Sequence, residues 1–242
     1  MYLSIKEFNN INDIPDFYNF NQPYIIRKGC KNMSIFNNDS IISSLYNIFE
    51  NIIMNVEQLI QQAKLLLDKN NLEEAKTVFE NILKIEPSHY KTHTNIGAIL
   101  LKLEKFKEAM KSFEKAVELN PNFVIAHYNL GITQAKLNMM DEAEASYKKA
   151  IEFKIDYVEA YINLGSILLK MNKLMDAEKT FKKVIELKPQ FAVAYYNLGC
   201  TQEKMNKFDE ARISYEKAIE LKSDYYDAHN NLNRMLKQNK FL

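Results

Sequence analysis

Apolar residues between positions 56 and 225 fall into ten runs of about 14 residues, and within each run they recur every three or four positions. That spacing is typical of amphipathic helices, each ~21 Å long at 1.5 Å per residue. The runs come in pairs, and the two runs of each pair are separated by Asn70, Glu104, Asn138, Asn172 or Asn206. Asparagine commonly replaces glycine where a helix ends in the left-handed conformation. The pattern therefore predicts a series of helical hairpins.

The hairpins repeat with a period of 34 residues. Asn-Ile-Gly or Asn-Leu-Gly stands at 95–97, 129–131, 163–165 and 197–199. An alanine ladder shares this frame at Ala75, Ala109, Ala143, Ala177 and Ala211, and an aromatic ladder follows four residues later at Phe79, Phe113, Tyr147, Phe181 and Tyr215. The frame defines five units, at 56–89, 90–123, 124–157, 158–191 and 192–225. A period of this length is typical of solenoids.

Small residues in the first helix of each unit indicate how the hairpin closes. They are Ala63, Gly97, Gly131, Gly165 and Gly199. We expect them to face the alanine ladder of the second helix, so that the two helix axes approach to ~8–10 Å.

These units resemble the tetratricopeptide-repeat family, because each has an aromatic residue or histidine near its start, followed by Leu-Gly, Ala, Phe or Tyr, Ala and Pro. The resemblance covers 56–225 and is weakest in the first unit, and Ile155 and Ser223 replace the terminal proline in the third and fifth units. It implies an all-α, right-handed α-solenoid of five hairpins whose first helices line a concave face.

Both ends of the array are expected to carry a capping helix, because the last apolar face of a solenoid needs a cover. Residues 226–242 continue the frame as a first helix alone, with Leu232 and Leu236 facing inward. Residues 40–55 carry apolar residues that fit the frame extended backwards, and they are predicted to form the N-terminal capping helix. Residues 1–39 lack the pattern and are expected to be poorly structured.

Charge and cysteine content narrow the class of partner. Lysine and arginine number 32 against 31 aspartates and glutamates, so no overall field attracts nucleic acid or an anionic membrane. Cys30 and Cys200 lie far apart without metal-ligand spacing, which suits a reducing compartment. The sequence has no apolar run of ~18 residues and no leader pattern, so we expect a cytoplasmic or nuclear protein.

No group of residues points to catalysis, a metal or a cofactor. His93, His127 and His229 share one place in their units, where the family has a bulky core side chain, so packing is their expected role. His89 lies four residues before His93, a spacing that can bind a metal, but no acidic third ligand accompanies the pair. The sequence also lacks a phosphate-binding glycine loop and a Ser/His/Asp or Cys/His set, so no enzyme activity is expected.

The candidate site is an asparagine ladder two places before the glycine position, at Asn95, Asn129, Asn163, Asn197 and Asn231. On a concave face each amide could donate to a peptide carbonyl and accept from a peptide N–H, and so grip an extended backbone. The ladder looks like the one in the tetratricopeptide arm of O-linked N-acetylglucosamine transferase, which holds extended substrates. The alternative is that the amides bond within the scaffold.

The same face is expected to carry an apolar lining that could form side-chain pockets, at Ile125, Tyr128, Ile132, Ile162, Val193 and Tyr196. Partial burial between helices is the alternative. A lysine row at Lys102, Lys136, Lys170 and Lys204 also follows the period. Lysine in the last turn of a helix is favoured by the helix dipole, so the row needs no ligand to explain it.

The pattern favours a protein-interaction scaffold that holds an extended or helical segment of a partner protein in its concave groove. A chaperone tail is disfavoured as that partner, because the Lys/Asn/Arg set that clamps a terminal carboxylate in chaperone-binding members is not matched in three successive units. Two alternatives stay open. One is a structural subunit of a larger assembly, and the other is the targeting arm of a glycosyltransferase-like enzyme whose catalytic part is absent.

Overall fold

The computed structural model describes residues 39–238, and within this range every residue lies in a helix or in a short turn between helices. The predicted segment 1–39 lies outside the described residues, except for Asp39. The chain divides into two compact units, Met1–Asn55 and Val56–Leu242, and the second holds the repeat array. The helices of the described range are α1 (Asp39–Asp68), α2 (Leu72–Ile85), α3 (Tyr90–Lys102), α4 (Phe106–Leu119), α5 (Val124–Lys136), α6 (Met140–Phe153), α7 (Val158–Lys170), α8 (Leu174–Leu187), α9 (Ala192–Lys204), α10 (Phe208–Leu221) and α11 (Tyr226–Gln238).

The helices of the second compact unit pair into hairpins, as the repeat pattern predicts. Helix α3 packs against α4, α5 against α6, α7 against α8 and α9 against α10, and each second helix also contacts the first helix of the next unit. First helices of successive units contact one another as well, α3 with α5, α5 with α7 and α7 with α9. Because neighbouring units come closest on the inner side of a curved stack, the first helices form the inner layer of an all-α solenoid.

The N-terminal end of the described range differs from the prediction. The sequence analysis expected a capping helix over 40–55 and a separate first helix from residue 56, whereas α1 runs without interruption from Asp39 to Asp68. This stretch contains no proline or glycine, the residues that most readily end a helix. The expected helix break near residue 55 is therefore wrong, whereas the capping role of 40–55 stays a prediction.

Each hairpin turn contains the left-handed residue that the sequence predicts. The five residues between the paired helices, Asn70, Glu104, Asn138, Asn172 and Asn206, have φ between 57° and 62°. The N–H of Asn71 then donates to the carbonyl of Leu66 at 2.8 Å, and the other four turns repeat this bond at 2.9 Å. This Schellman arrangement satisfies a carbonyl that the end of the first helix leaves open.

The glycines of the first helices lie against the aromatic ladder of the second helices. A Cβ built on Gly165 would come within 2.6 Å of Cε1 of Phe181, and the other three helical glycines meet the aromatic residue of their own unit at 2.7 or 2.8 Å. The nearest side chain to each glycine is therefore the aromatic residue, and not the ladder alanine that we expected. A flat ring covers each glycine, while the ladder alanines are fully buried in the same core.

Helix α11 ends the described array. Ala228 and Met235 are buried and Leu232 is partly buried, whereas Leu236, which was expected to face inward, is 40% exposed. Met235 follows Ala228 by seven residues, nearly two full turns, and so returns to the same face of the helix. The buried stripe therefore passes through Met235 and leaves Leu236 outside.

Candidate peptide-binding groove

The asparagine ladder lies on the inner layer of the solenoid. Its members belong to α3, α5, α7, α9 and α11, one to each helix, and all five side chains are half-buried. A half-buried amide is accessible to a ligand but has lost part of its contact with water. The hydrogen-bond partners of each amide therefore decide between a role in the scaffold and a role in binding.

Two asparagines of the ladder donate hydrogen bonds within the scaffold. Nδ2 of Asn163 lies 3.2 Å from the hydroxyl of Tyr128, one helix earlier in the inner layer. Nδ2 of Asn231 lies 3.3 Å from the hydroxyl of Tyr196 and 3.6 Å from Sγ of Cys200. The scaffold interpretation therefore applies to these two residues.

The other three asparagines are in a different situation. Within the described part of the chain, the side chains of Asn95, Asn129 and Asn197 make no hydrogen bond with another residue. The main-chain carbonyls of Asn129 and Asn197 do accept bonds, from Thr133 and Thr201, each at 2.8 Å. Those bonds leave the side-chain amides open to solvent or to a ligand.

Tyr128 and Tyr196 are held by further aromatic residues. The ring of Tyr128 packs on Tyr157 with centroids 4.8 Å apart, and Tyr196 packs on Tyr225 at 5.0 Å. A tyrosine hydroxyl is protonated at neutral pH, and burial raises the pKa of Tyr128 further. Because its oxygen accepts a hydrogen bond from Asn163, its own proton points elsewhere and can be donated.

These contacts occur twice because the array alternates between two kinds of unit. The third and fifth units carry the tyrosines, whereas the second and fourth have Thr94 and Ile162 at the same place. A buried bond of 2.6 Å from Ser146 to Gln134 likewise recurs between the equivalent residues of the fifth unit. Thr-Gln before the end of the first helix, at 133–134 and 201–202, is the sequence signal of this double period.

The six residues of the predicted apolar lining are accessible to different degrees. Ile125 is 49% exposed, and the other five are half-buried. Tyr128, Ile132 and Ile162 pack against the core of the third and fourth units, and Tyr196 packs against the core of the fifth. Partial burial between helices therefore describes most of the lining, and its binding role stays a prediction.

The lysine row lies exposed along the inner layer. Within the described residues none of its four ammonium groups lies within 4 Å of a carboxylate. The outer layer is different, since the buried carboxylate of Glu144 pairs with Lys173 of the next unit at 2.7 Å and Glu178 pairs with Lys207 at 2.8 Å. Ion pairing thus links the outer helices and leaves the lysine row unpaired.

The histidines have structural partners. Nε2 of His93, His127 and His229 lies 2.7–2.9 Å from the carbonyl six residues earlier, in the turn that enters each first helix. Nδ1 of His89 accepts from the N–H of Thr92 at 3.2 Å and so caps α3. Among the described residues no three histidines, cysteines or acids come together as a metal site. No helix in the described range is both long and apolar enough to span a membrane.

Taken as a whole, a stack of helical hairpins with an accessible inner layer defines a helical-repeat scaffold for protein interactions. The family comparison agrees. The tetratricopeptide repeat model matches residues 90–123, 124–157, 158–191 and 192–225, and a second tetratricopeptide repeat model matches 59–89. The chain belongs to the tetratricopeptide-repeat family.

Solved structures of similar proteins share the fold. YrrB, described as a tetratricopeptide-repeat protein with an unusual peptide-binding site, is 28% identical over 72% of this chain and 89% of its own, with a TM-score of 0.66. MamA is 25% identical over 68% of this chain and 96% of its own, with a TM-score of 0.65. A repeat protein from Parabacteroides merdae is 21% identical over 77% of this chain and 75% of its own, with a TM-score of 0.69. A search of curated proteins returned no match.

Proposed function

We propose that this protein binds an extended segment of a partner protein along the inner layer, with the open amides of the asparagine ladder holding the segment's backbone. The observation that carries the proposal is the set of three half-buried asparagines, Asn95, Asn129 and Asn197, whose side chains have no hydrogen-bond partner within the described residues. An amide donates and accepts at once, which matches the alternating groups of a peptide backbone. The similarity to YrrB, whose description includes a peptide-binding site, supports the same class of ligand.

The remaining two asparagines have a supporting role in this proposal. Asn163 and Asn231 each direct an N–H to a tyrosine of the inner layer, which fixes the amide and orients the tyrosine hydroxyl. Holding these groups in place before binding lowers the entropy that a ligand must overcome. The ladder thus combines open amides with fixed ones.

The outer layer offers less to a partner. The most exposed large apolar side chains of the third to fifth units are Ile155, Met175 and Ile213, which are 60–78% exposed. They occupy three different places in the 34-residue frame, so they form no repeating stripe, and single exposed apolar residues are ordinary on protein surfaces. For this reason we favour the groove over the structural-subunit alternative. The glycosyltransferase-arm alternative shares the groove and predicts the same ligand class.

Random peptides of about 16 residues, displayed on phage and selected on the intact protein, test the proposal. We expect selected peptides to bind the Asn129→Ala, Asn197→Ala double variant about ten- to a hundredfold more weakly, because each lost hydrogen bond contributes ~0.5–1.5 kcal/mol. The double variant should melt at the same temperature or slightly higher, since alanine is the better helix former.

Asn163→Ala is the matched control. It removes a bond to Tyr128, so its stability should fall relative to Asn129→Ala by about 1 kcal/mol. Peptides that bind the double variant as tightly as the unaltered protein would refute the groove. The groove would also be refuted if the selection enriched no peptide and light scattering showed that the protein forms a defined oligomer.

A further inference from the structure

The lysine row shares the helix face of the asparagine ladder. Each of its members, Lys102, Lys136, Lys170 and Lys204, follows a ladder asparagine by seven residues. Seven residues make nearly two turns, so asparagine and lysine lie on one face, ~10 Å apart along the helix. A segment that contacts the ladder in four successive units therefore passes an exposed ammonium group in each of them.

The lysine row differs from the lysines at the ends of the second helices in having no partner. Helices α6, α8 and α10 are followed at the C-cap by Lys154, Lys188 and Lys222, so the helix dipole favours lysine in both layers. These three ammonium groups lie over aromatic rings, 4.7–5.3 Å from the ring centroids. The first helices α3, α5, α7 and α9 all end in a lysine of the row, and within the described residues these four lysines contact neither a ring nor a carboxylate.

Positive charge is concentrated on the inner layer although the whole chain is nearly neutral. Helices α3, α5, α7 and α9 together contain five lysines and two glutamates, whereas α4, α6, α8 and α10 contain fourteen acidic and ten basic residues. One of the two inner glutamates, Glu203, is already bound by Arg234 at 2.9 Å and by the hydroxyl of Tyr215 at 2.8 Å. The unpaired charge of the groove is therefore almost entirely cationic.

We propose that the segment held in the groove is acidic, with side-chain carboxylates that meet the lysine row while the asparagine ladder holds the backbone. The inference rests on the proposed function and specifies its ligand. Complementary charge steers association and selects partners more than it raises affinity, which suits a row of exposed lysines. The recognised carboxylates are internal side chains and not a chain terminus, because one lysine recurs in each of four units.

A synthetic peptide tests the charge directly. The probe alternates glutamate and serine over about 16 residues, with both ends blocked so that only side-chain carboxylates remain, and its control has glutamine in place of glutamate. We expect the glutamate peptide to bind the intact protein about tenfold more tightly than the glutamine peptide, and this advantage should shrink as salt is added.

Two triple variants with the same change in net charge locate the site. Lys102→Gln, Lys136→Gln, Lys170→Gln removes charge from the row and should weaken the glutamate peptide about tenfold. Lys107→Gln, Lys111→Gln, Lys179→Gln removes exposed lysines of the outer helices that lie in no ion pair within the described residues, and should change binding less than twofold.

The outcomes separate this inference from the proposed function. Equal weakening by both triple variants, or equal binding of the two peptides, would overturn the acidic ligand. Phage-selected peptides that depend on Asn129 and Asn197 but carry no excess of acidic residues would also overturn it, while the proposed function would stand. If the binding of selected peptides does not depend on Asn129 and Asn197, both the proposed function and this inference are refuted.

Discussion

Replacing Gly165 with alanine adds one methyl group to the most crowded glycine of the array. The new Cβ would lie 2.6 Å from Cε1 and 2.7 Å from Cζ of Phe181. Carbon atoms prefer separations of ~3.5–4.0 Å, so the ring or the helix must move by about 1 Å. The Phe181 side chain is fully buried, which means that any movement displaces its neighbours.

Two effects of opposite sign determine the result. Overpacking a well-filled core costs ~1–3 kcal/mol, whereas alanine in place of glycine inside a helix contributes up to ~1 kcal/mol. We therefore expect Gly165→Ala to lower the free energy of unfolding by about 1 kcal/mol. For an array of this size that corresponds to a fall in the melting temperature of about 3 °C.

A double-variant cycle identifies the cause. In a Phe181→Leu background the ring is gone, so Gly165→Ala should raise stability by up to ~1 kcal/mol, a reversal of sign measured by chemical denaturation. The first unit provides a control, because Ala63 naturally occupies the glycine place and is buried in the same core cluster as Phe79, the aromatic residue of that unit. Ala63→Gly should lower stability by ~1 kcal/mol. A Gly165→Ala effect that is stabilising, or equal in both backgrounds, would refute the reasoning.

Three further predictions concern the turns, the C-terminal helix and the outer ion pairs. Glu104 has φ of 57°, so Glu104→Gly should raise stability by ~1 kcal/mol, and an unchanged denaturation midpoint would contradict this. Deleting 226–242 uncovers the buried core around Tyr215 and should lower the melting temperature and promote self-association; a monomer with unchanged melting would show that this helix is no cap. Burial raises the pKa of Glu178, but the ammonium groups of Lys182 and Lys207 outweigh it and hold the pKa below its usual value. The ionised Glu178 carboxylate therefore stabilises the folded protein at pH values above its pKa in the unfolded chain. This stabilisation is lost as pH falls through the pKa of Glu178 in the folded protein. The melting temperature should therefore fall in acid, and it should fall less for the Glu178→Gln variant.

The sequence predicted those features that depend on residues close together in the chain. Helical spacing, the left-handed turn residues such as Asn138 and the 34-residue frame are local patterns, and the structure and the family comparison confirm them. The continuity of α1 through Asn55 was missed although it is local, because the frame was extended backwards without a breaking residue to justify it.

Features that depend on contacts between helices were predicted less well. The glycines were expected to face alanines, since both are small, but a ring from one helix turn further along fills the space over Gly165. The placement of Met235 inward and Leu236 outward depends on how α11 is rotated on the core, which hydrophobicity alone does not determine.

The double period shows most clearly why the groove was harder to predict than the fold. Asn163 and Tyr128 belong to different units, and only the contact between successive first helices brings them within 3.2 Å. In the sequence the ladder asparagines look equivalent. In the structure, however, the side chain of Asn163 donates an N–H to Tyr128, whereas the side chain of Asn129 has no hydrogen-bond partner among the described residues. A segment lying along the groove would therefore meet fixed tyrosine donors in every second unit, with open amides beside them. In the proposed function the binding unit would then be a pair of hairpins, although the sequence repeats in single hairpins.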